Sequence, residues 1–103
     1  MMHKIKKIYN FKEDHVLELD DGSLIRCPFI TALENIKKSG QEKFFVRTWK
    51  SKSVLRDTEI EKIELVHIDN LDSKAGDGYY QNYMKRVKIE KADLVEELMD
   101  ERF

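Results

Sequence analysis

The tetrapeptide DDGS at positions 20–23 constrains the fold of this chain more than any other feature of the sequence. An Asp-Gly pair supplies the positive φ that a tight hairpin turn requires, and strand-like residues flank it on both sides. Before the turn, Leu17 and Leu19 fall on one face of a strand. After the turn, the next strand ends before Pro28, which has no amide hydrogen to donate to a ladder. The sequence therefore predicts an antiparallel hairpin centred on this turn.

Three other segments alternate like strands, and they are residues 4–9, 43–50 and 59–68. A short helix is predicted between the first hairpin and the strand at 43–50. Thr31 and Glu34 match the capping box at its start, and Gly40 is a natural stop at its end. The helix spans about two turns, enough to cover a small sheet.

The C-terminal quarter has the pattern of a helix. Its apolar stripe lies opposite acidic residues and consists of Leu94, Val95, Leu98 and Met99. We predict a helix over 91–101, and we favour a helix over 79–89, although Val87 and Ile89 alternate like a strand. The predicted fold class is α+β: one domain over 1–103, with an antiparallel sheet of about five strands, one short capped helix and a C-terminal helical segment packed on the sheet.

Composition limits the cellular setting and the ligand class. The chain has 103 residues and a single cysteine, Cys27, so an intrachain disulfide is impossible and a reducing, cytoplasmic location is predicted. No segment has the pattern of a signal peptide or a membrane span. The net charge is −1, but residues 1–56 carry a net +5 and residues 57–103 a net −6. A basic face or a basic-to-acidic contact between subunits is compatible with this asymmetry.

The stretch KFFVRTWK at 43–50 holds the main candidate binding residues. If it is a strand, Phe44, Val46 and Thr48 share one face, which has the pattern of a core. Phe45, Arg47 and Trp49 share the other face. Aromatic rings beside a basic group are what proteins use to stack on bases and hold phosphates. With Lys50, this face predicts a site for a nucleotide or nucleic acid. Burial of the two rings beneath the C-terminal helix, with Arg47 reaching outward, is the alternative.

A second aromatic and basic stretch lies at 79–88 and adds Tyr80 and Arg86 to the candidate ligand-binding residues. The alternative interpretation is a packing or subunit-interface stripe. Its members, the Tyr/Met stripe, are Tyr80, Tyr83, Met84 and Val87.

No catalytic or metal-binding motif is present in the sequence. The acidic loop at 69–77 lacks the glycine position and the twelfth-position glutamate of a calcium loop. No nucleophile elbow, glycine-rich phosphate loop or paired-carboxylate motif occurs. We therefore predict a protein that is not an enzyme and has no cofactor or metal.

Residues 4–40 run strand, turn, strand, Asp-Gly, strand and a short helix that ends in Lys-Ser-Gly. This order resembles small bacterial and phage proteins of unknown function, and it is similar to that of the phage proteins that sequester cyclic ADP-ribose signals. The resemblance implies an oligomer that binds a nucleotide with aromatic and arginine side chains near a subunit boundary. The chain departs from that pattern after residue 40, where the Tyr-Leu-Arg motif is missing and only Asp69, Asn70 and Leu71 match the ending.

The sequence thus predicts a non-enzymatic accessory protein, of phage or mobile-element type with an anti-defence role, that binds a nucleotide or nucleic acid. The predicted ligand-binding residues are Phe45, Arg47, Trp49, Lys50, Tyr80 and Arg86. The alternative is a protein-interaction or inhibitor module. It would act through an oligomeric or partner interface formed by the Tyr/Met stripe and the acidic C-terminal helix.

Overall fold

The computed structural model describes residues 1–12, 14–28, 30–52, 55, 57–77 and 84–96. About 50% of these residues lie in strands. The strands are β1 (Met2–Phe11), β2 (Asp14–Leu19), β3 (Leu24–Cys27), β4 (Phe44–Lys52), β5 (Glu59–His67), β6 (Lys85–Val87) and β7 (Val95–Glu96). The helix α1 spans Ile30–Ser39, and 3₁₀ turns occupy Gln41–Lys43, Ile68–Asn70 and Lys91–Asp93. In the described part of the chain, no helix is long and apolar enough to cross a membrane.

Six strands form an antiparallel sheet in the order β5-β4-β1-β2-β3-β6, which curls into a nearly closed barrel-like sheet. The long strand β1 makes the curl possible because it serves two neighbours. Its first residues pair with β4, where Met2 lies opposite Arg47, and its later residues pair with β2. The register shifts between Ile5 and Lys7, and such a bulge bends a strand. The short strand β7 pairs with the far end of β1.

The hairpin predicted at positions 20–23 is confirmed. Gly22 has a φ of +87°, and the amide of Leu19 donates a hydrogen bond of 2.9 Å to the carbonyl of Ser23. Strands β2 and β3 pair in register on either side of the turn, with His15 opposite Cys27.

The main core fills the inside of the barrel-like sheet and is closed by α1. The helix contributes Ala32, Leu33 and Ile36, which are all buried. Gly40 ends the helix as predicted, with a φ of +103° and an amide that donates to the Ile36 carbonyl at 2.8 Å. The helix begins at Ile30, so Thr31 lies inside its first turn and not at the N-cap position that the capping box assigns to it.

A second, smaller core lies on the outer surface of β1, β2 and β3. Tyr9, Val16 and Leu24 form it, and four partly buried residues pack against them: Phe11, Val87, Ile89 and Leu94. Three of those four lie in the segment 84–96, which we call the C-terminal strap. The strap begins as the edge strand β6, which pairs with β3, and then passes over the outside of the sheet to β7, which pairs with β1.

The strap corrects the predicted fold class. The prediction of about five strands with a C-terminal helical segment is wrong. The structure has a nearly closed six-strand sheet, and the described C-terminal residues form two short strands and a 3₁₀ turn. The apolar residues Val87 and Leu94 are compatible with an extended chain because they pack against apolar side chains of β1, β2 and β3. Such tertiary pairing overrides helical spacing. The predictions for 78–83 and 97–101 lie outside the described residues.

Candidate functional site

The two faces of β4 separate as the alternation predicts. Phe44, Val46 and Thr48 point into the main core and are buried, which confirms this part of the prediction. The outer face carries Phe45 and Trp49, both half-buried.

Arg47 lies between those two rings and is only 8% exposed. Its Nε atom is 3.2 Å from Oε1 of Glu64, which is fully buried on β5. Its two terminal nitrogens donate to Ser73, at 2.7 Å to the carbonyl and 3.0 Å to the hydroxyl. The amide of Gly76 donates to the other Glu64 oxygen at 3.0 Å. Arg47 therefore holds the loop after β5 onto the sheet and has little left to offer a ligand.

Both interpretations of this face therefore need correction. The Arg47 guanidinium is not exposed for a phosphate to contact, and it does not extend into solvent beyond two buried rings. Arg47 is instead more deeply buried than Phe45 and Trp49, and the cover over it comes from Ser73 and Gly76, not from a C-terminal helix. Burial of this guanidinium is tolerated because a carboxylate neutralises its charge, and a carbonyl and a hydroxyl oxygen accept its hydrogen bonds.

The remaining candidates fall in other places. Arg86 donates to Glu61 through Nε at 3.1 Å and Nη2 at 2.8 Å, and this contact links β6 to β5 across the open seam of the sheet. The Arg86 guanidinium lowers the pKa of Glu61, and the Glu61 carboxylate raises the pKa of Arg86. Lys50 lies opposite Glu61 on β4 and is exposed. Tyr80 lies outside the described residues.

Phe45 lines a groove made of two adjoining clefts. The first, which we call the aromatic cleft, has a volume of about 610 Å³ and is lined by Lys4, Ile5, Gln41, Glu42, Phe44, Phe45 and Ile68. Gln41 fixes its floor, because the side-chain amide donates to the carbonyls of Ile5 and Lys6 at 2.9 Å each. Those carbonyls belong to the part of β1 where its pairing with β4 has ended.

The second, which we call the polar cleft, has a volume of about 390 Å³ and is lined by Asn35, Ser39, Phe44, His67, Asp69 and Asn70. Phe44 lines both clefts, and its ring meets His67 edge to face at a centroid distance of 5.1 Å. The Asp69 amide donates to Nδ1 of His67 at 3.1 Å, which fixes the turn at the cleft wall.

The groove is lined by one ammonium and two carboxylates, which do not form a basic track. The ammonium of Lys4 forms no ion pair with a carboxylate of the described residues. Glu42 lines the same cleft, and the exposed Asp69 carboxylate borders the other. This pattern fits a small ligand with one anionic group better than an extended polyanion.

A separate polar cluster clamps the hairpin turn to β1. Nδ1 of His3 lies 2.9 Å from Asp20 and 3.9 Å from Asp21, and the Lys4 amide donates to Asp20 at 3.1 Å. This backbone bond and the His3 contact lower the pKa of Asp20, and hydrogen bonds from Ser23 lower that of Asp21. Ligand atoms of the two aspartates and His3 lie within 4.8 Å of one another. The hydrogen bonds already satisfy this cluster as a structural clamp.

Sequence reasoning placed Phe45 at a ligand site and missed most of the residues that surround it in the groove. Lys4, Asn35 and Asn70 are far apart in the sequence, and no local pattern distinguishes them from surface residues. Only the fold brings them beside β4.

No known protein family matches this chain, and no curated protein or solved structure shows significant similarity to it.

Proposed function

We propose that this protein is a non-catalytic binding protein whose groove takes a small nucleotide. The observation that carries the proposal is the aromatic cleft, where the half-buried ring of Phe45 and the ammonium of Lys4, which pairs with no carboxylate among the described residues, border one space of about 610 Å³. A ring for a base and a cation for a phosphate are the two elements that nucleotide recognition requires.

The energetics of such contacts suit a ligand of this size. Stacking of a base on an aromatic side chain contributes about 1–3 kcal/mol. Ligand pockets typically enclose roughly 300–1,000 Å³ and combine apolar walls with a few polar groups. Phe44, Phe45 and Ile68 supply the apolar wall of the aromatic cleft, and Gln41 and Lys4 supply the polar groups.

A small nucleotide is favoured over a nucleic acid strand by the charges. A polynucleotide gains most of its affinity from phosphates neutralised along a basic track. Arg47 on the outer face of β4 is neutralised by Glu64, and Arg86 on β6 is neutralised by Glu61. Lys4 is left as the cation beside Phe45, which matches one phosphate group.

The proposal extends to the cellular role that the sequence predicts. It places the protein in the cytoplasm, as a phage-type or mobile-element accessory protein that binds a nucleotide signal and so counters a host defence. The resemblance of residues 4–40 to nucleotide-sequestering phage proteins supports this role.

Two residues of the interface that the alternative function requires are packed within the protein. Met84 of the Tyr/Met stripe is 3% exposed within the main core, and Val87 packs into the second core. Neither side chain is available to a partner while the strap is in place. Tyr80 and Tyr83 lie outside the described residues.

Isothermal titration with the common nucleoside monophosphates and with short single-stranded oligonucleotides tests the proposal. At least one monophosphate is expected to bind, and Phe45→Ala is expected to weaken it at least fivefold, since one stack contributes about 1–3 kcal/mol. Lys4→Ala should also weaken monophosphate binding and should reduce the salt dependence of that binding. Ile60→Ala and Lys88→Ala are exposed controls that line neither cleft, and both variants should bind like the wild type.

Two results would contradict the proposal. One is the absence of binding by every monophosphate at millimolar concentration. The other is binding that survives both groove substitutions. Tight binding of oligonucleotides with a steep salt dependence, without monophosphate binding, would instead favour a nucleic acid partner.

A further inference from the structure

The polar cleft has a chemistry that the proposed nucleotide site does not yet use. Three neutral polar side chains line it, and those of Asn35, Ser39 and Asn70 make no hydrogen bond within the described part of the chain. Amide and hydroxyl groups that converge on one cleft without protein partners offer both donors and acceptors to a ligand. A neutral, hydroxyl-rich group fits such a lining better than an aromatic base or a phosphate.

Asp69 adds an acceptor of a specific kind. Its backbone amide is anchored to Nδ1 of His67 at 3.1 Å, and its carboxylate oxygen lies 3.4 Å from the same nitrogen. The carboxylate borders the cleft, and its side chain is 84% exposed to an incoming group. In dinucleotide-binding proteins a carboxylate accepts a hydrogen bond from the ribose 2′ hydroxyl in this way.

The two clefts meet at Phe44, so a ligand held in one cleft has the other beside it. The 2′ and 3′ hydroxyls of a ribose form one edge, and the base and the 5′ phosphate leave from other carbons. If the base stacks on Phe45 and the phosphate meets Lys4, the hydroxyl edge is free to enter the adjoining cleft past Phe44. The negative charge of Asp69 repels a phosphate from that cleft, which favours this one orientation.

We infer that the polar cleft is a ribose subsite, in which Asp69 accepts a hydrogen bond from the 2′ hydroxyl and makes the groove selective for ribonucleotides over 2′-deoxyribonucleotides. This inference rests on the proposed function, because it assigns the sugar of the same ligand. It names a specificity determinant that lies outside the residues that the sequence predicts.

The test compares one nucleoside monophosphate that binds with its 2′-deoxy counterpart, by titration calorimetry on the full chain. Wild-type protein is expected to bind the ribonucleotide about tenfold more tightly, because the 2′ hydroxyl donates a hydrogen bond to a charged acceptor and the 2′-deoxy sugar has no such donor. Asp69→Ala should remove most of this preference by weakening the ribonucleotide alone. Asp72→Ala removes an exposed carboxylate from the same loop and is the matched control.

The outcomes separate the two proposals. If both nucleotides bind equally to the wild type, the nucleotide site stands and the ribose subsite is wrong. If Asp69→Ala keeps the tenfold preference, Asp69 is not the determinant and the inference is overturned. If neither nucleotide binds, the proposed function fails and takes the subsite with it. Shifts of the Asn35 and Asn70 side-chain amide resonances on ribonucleotide binding, weaker with the deoxy form, would support the subsite independently.

Discussion

Two buried carboxylates on the outer surface of the sheet perform the same task with different partners. Glu64 holds the loop after β5 and is matched by Arg47, which is itself buried. Glu18 holds the C-terminal strap, accepting from the Tyr9 hydroxyl at 2.7 Å and from the Lys91 ammonium at 2.8 Å. The Lys91 side chain is 61% exposed. The comparison shows that one cover is locked by a desolvated pair, whereas the other is fastened by a cation that stays in water.

The difference affects stability because a charge that stays buried after its partner is lost raises the free energy of the folded state. A lysine that remains in solvent gives up little hydration to reach Glu18, and it regains that hydration when it leaves. Arg47 has no such route. We therefore expect the loop cover to be a fixed part of the fold and the strap to be the more readily opened of the two.

The strongest way to break this comparison is to remove one partner of the buried pair. Glu64→Leu is expected to lower the free energy of unfolding by about 3–5 kcal/mol, because it leaves the Arg47 charge buried without a carboxylate. Denaturant titration measures the loss. Arg26→Leu breaks the exposed ion pair with Asp14 and serves as the control, with an expected loss of about 0.2–1 kcal/mol. A Glu64→Leu loss as small as that of the control would show that the pair does not lock the loop.

The strap side of the comparison is tested with Lys91→Met. Glu18 keeps Tyr9 and has Lys6 at 4.0 Å, so the expected loss in unfolding free energy is only about 1–2 kcal/mol, close to that of one charged hydrogen bond. Lys88→Met is the control, since Lys88 is exposed on the same strap. Faster hydrogen exchange in the strap, without change in β4 and β5, would locate the effect. Equal exchange in both variants would argue against a role for Lys91.

Acid sharpens the comparison through Glu18. Hydrogen bonds from Lys91 and then from Tyr9 hold the pKa of this carboxyl below its usual 4.5, against the opposing effect of burial. Because the folded-state pKa is depressed, this stability is present above the unfolded pKa and is lost as pH falls below 4.5 through the folded value.

The unfolding free energy, measured between pH 6 and pH 3, should therefore fall less steeply with acid in Glu18→Gln than in the wild type. Other carboxylates with lowered pKa values, such as Asp20 and Glu61, contribute equally to both slopes. Identical slopes for the two proteins would contradict the assignment.

The smallest effect is expected at the seam of the sheet. Arg86→Met removes the contact with Glu61, and the expected loss is about 0.5–1 kcal/mol because both side chains are partly exposed. Lys85→Met on the same strand is the control. Amide exchange of β6 should accelerate in the first variant and not in the second. A loss as large as that of Glu64→Leu would mean that closing the sheet matters more than either cover.

What the sequence predicts depends on how far apart the interacting residues lie. The turn at 20–23 and the two faces of β4 follow from local alternation, which decides burial within a few residues. The position of Arg47 depends on Glu64 and on Ser73, which is 26 residues away. The same distance problem hides the groove, because Lys4 lies beside Phe45 only after β1 pairs with β4.

The strap illustrates a different failure. Leu94 and Val95 satisfy helical spacing as well as extended spacing, so periodicity alone does not decide between them. The contacts that decide between them are made with Tyr9 and Leu24. These apolar side chains lie on the outer surface of the sheet and would be exposed to water without the strap. The periodicity of one segment does not show whether a distant sheet surface will pack against it.

The several neighbours of β1 also have a consequence for how the chain folds. The carbonyl of Met1 accepts from Thr48, and the strap returns to Glu18 across 73 residues of sequence. Such distant pairings slow folding, because the entropy of closing long loops is lost before the contacts form. At roughly 5–20 residues per second, a ribosome would hold β1 without its β4 neighbour for several seconds. The β1–β2–β3 meander is therefore synthesised before β4, and its outer apolar surface has no cover until residues 84–96 have been made.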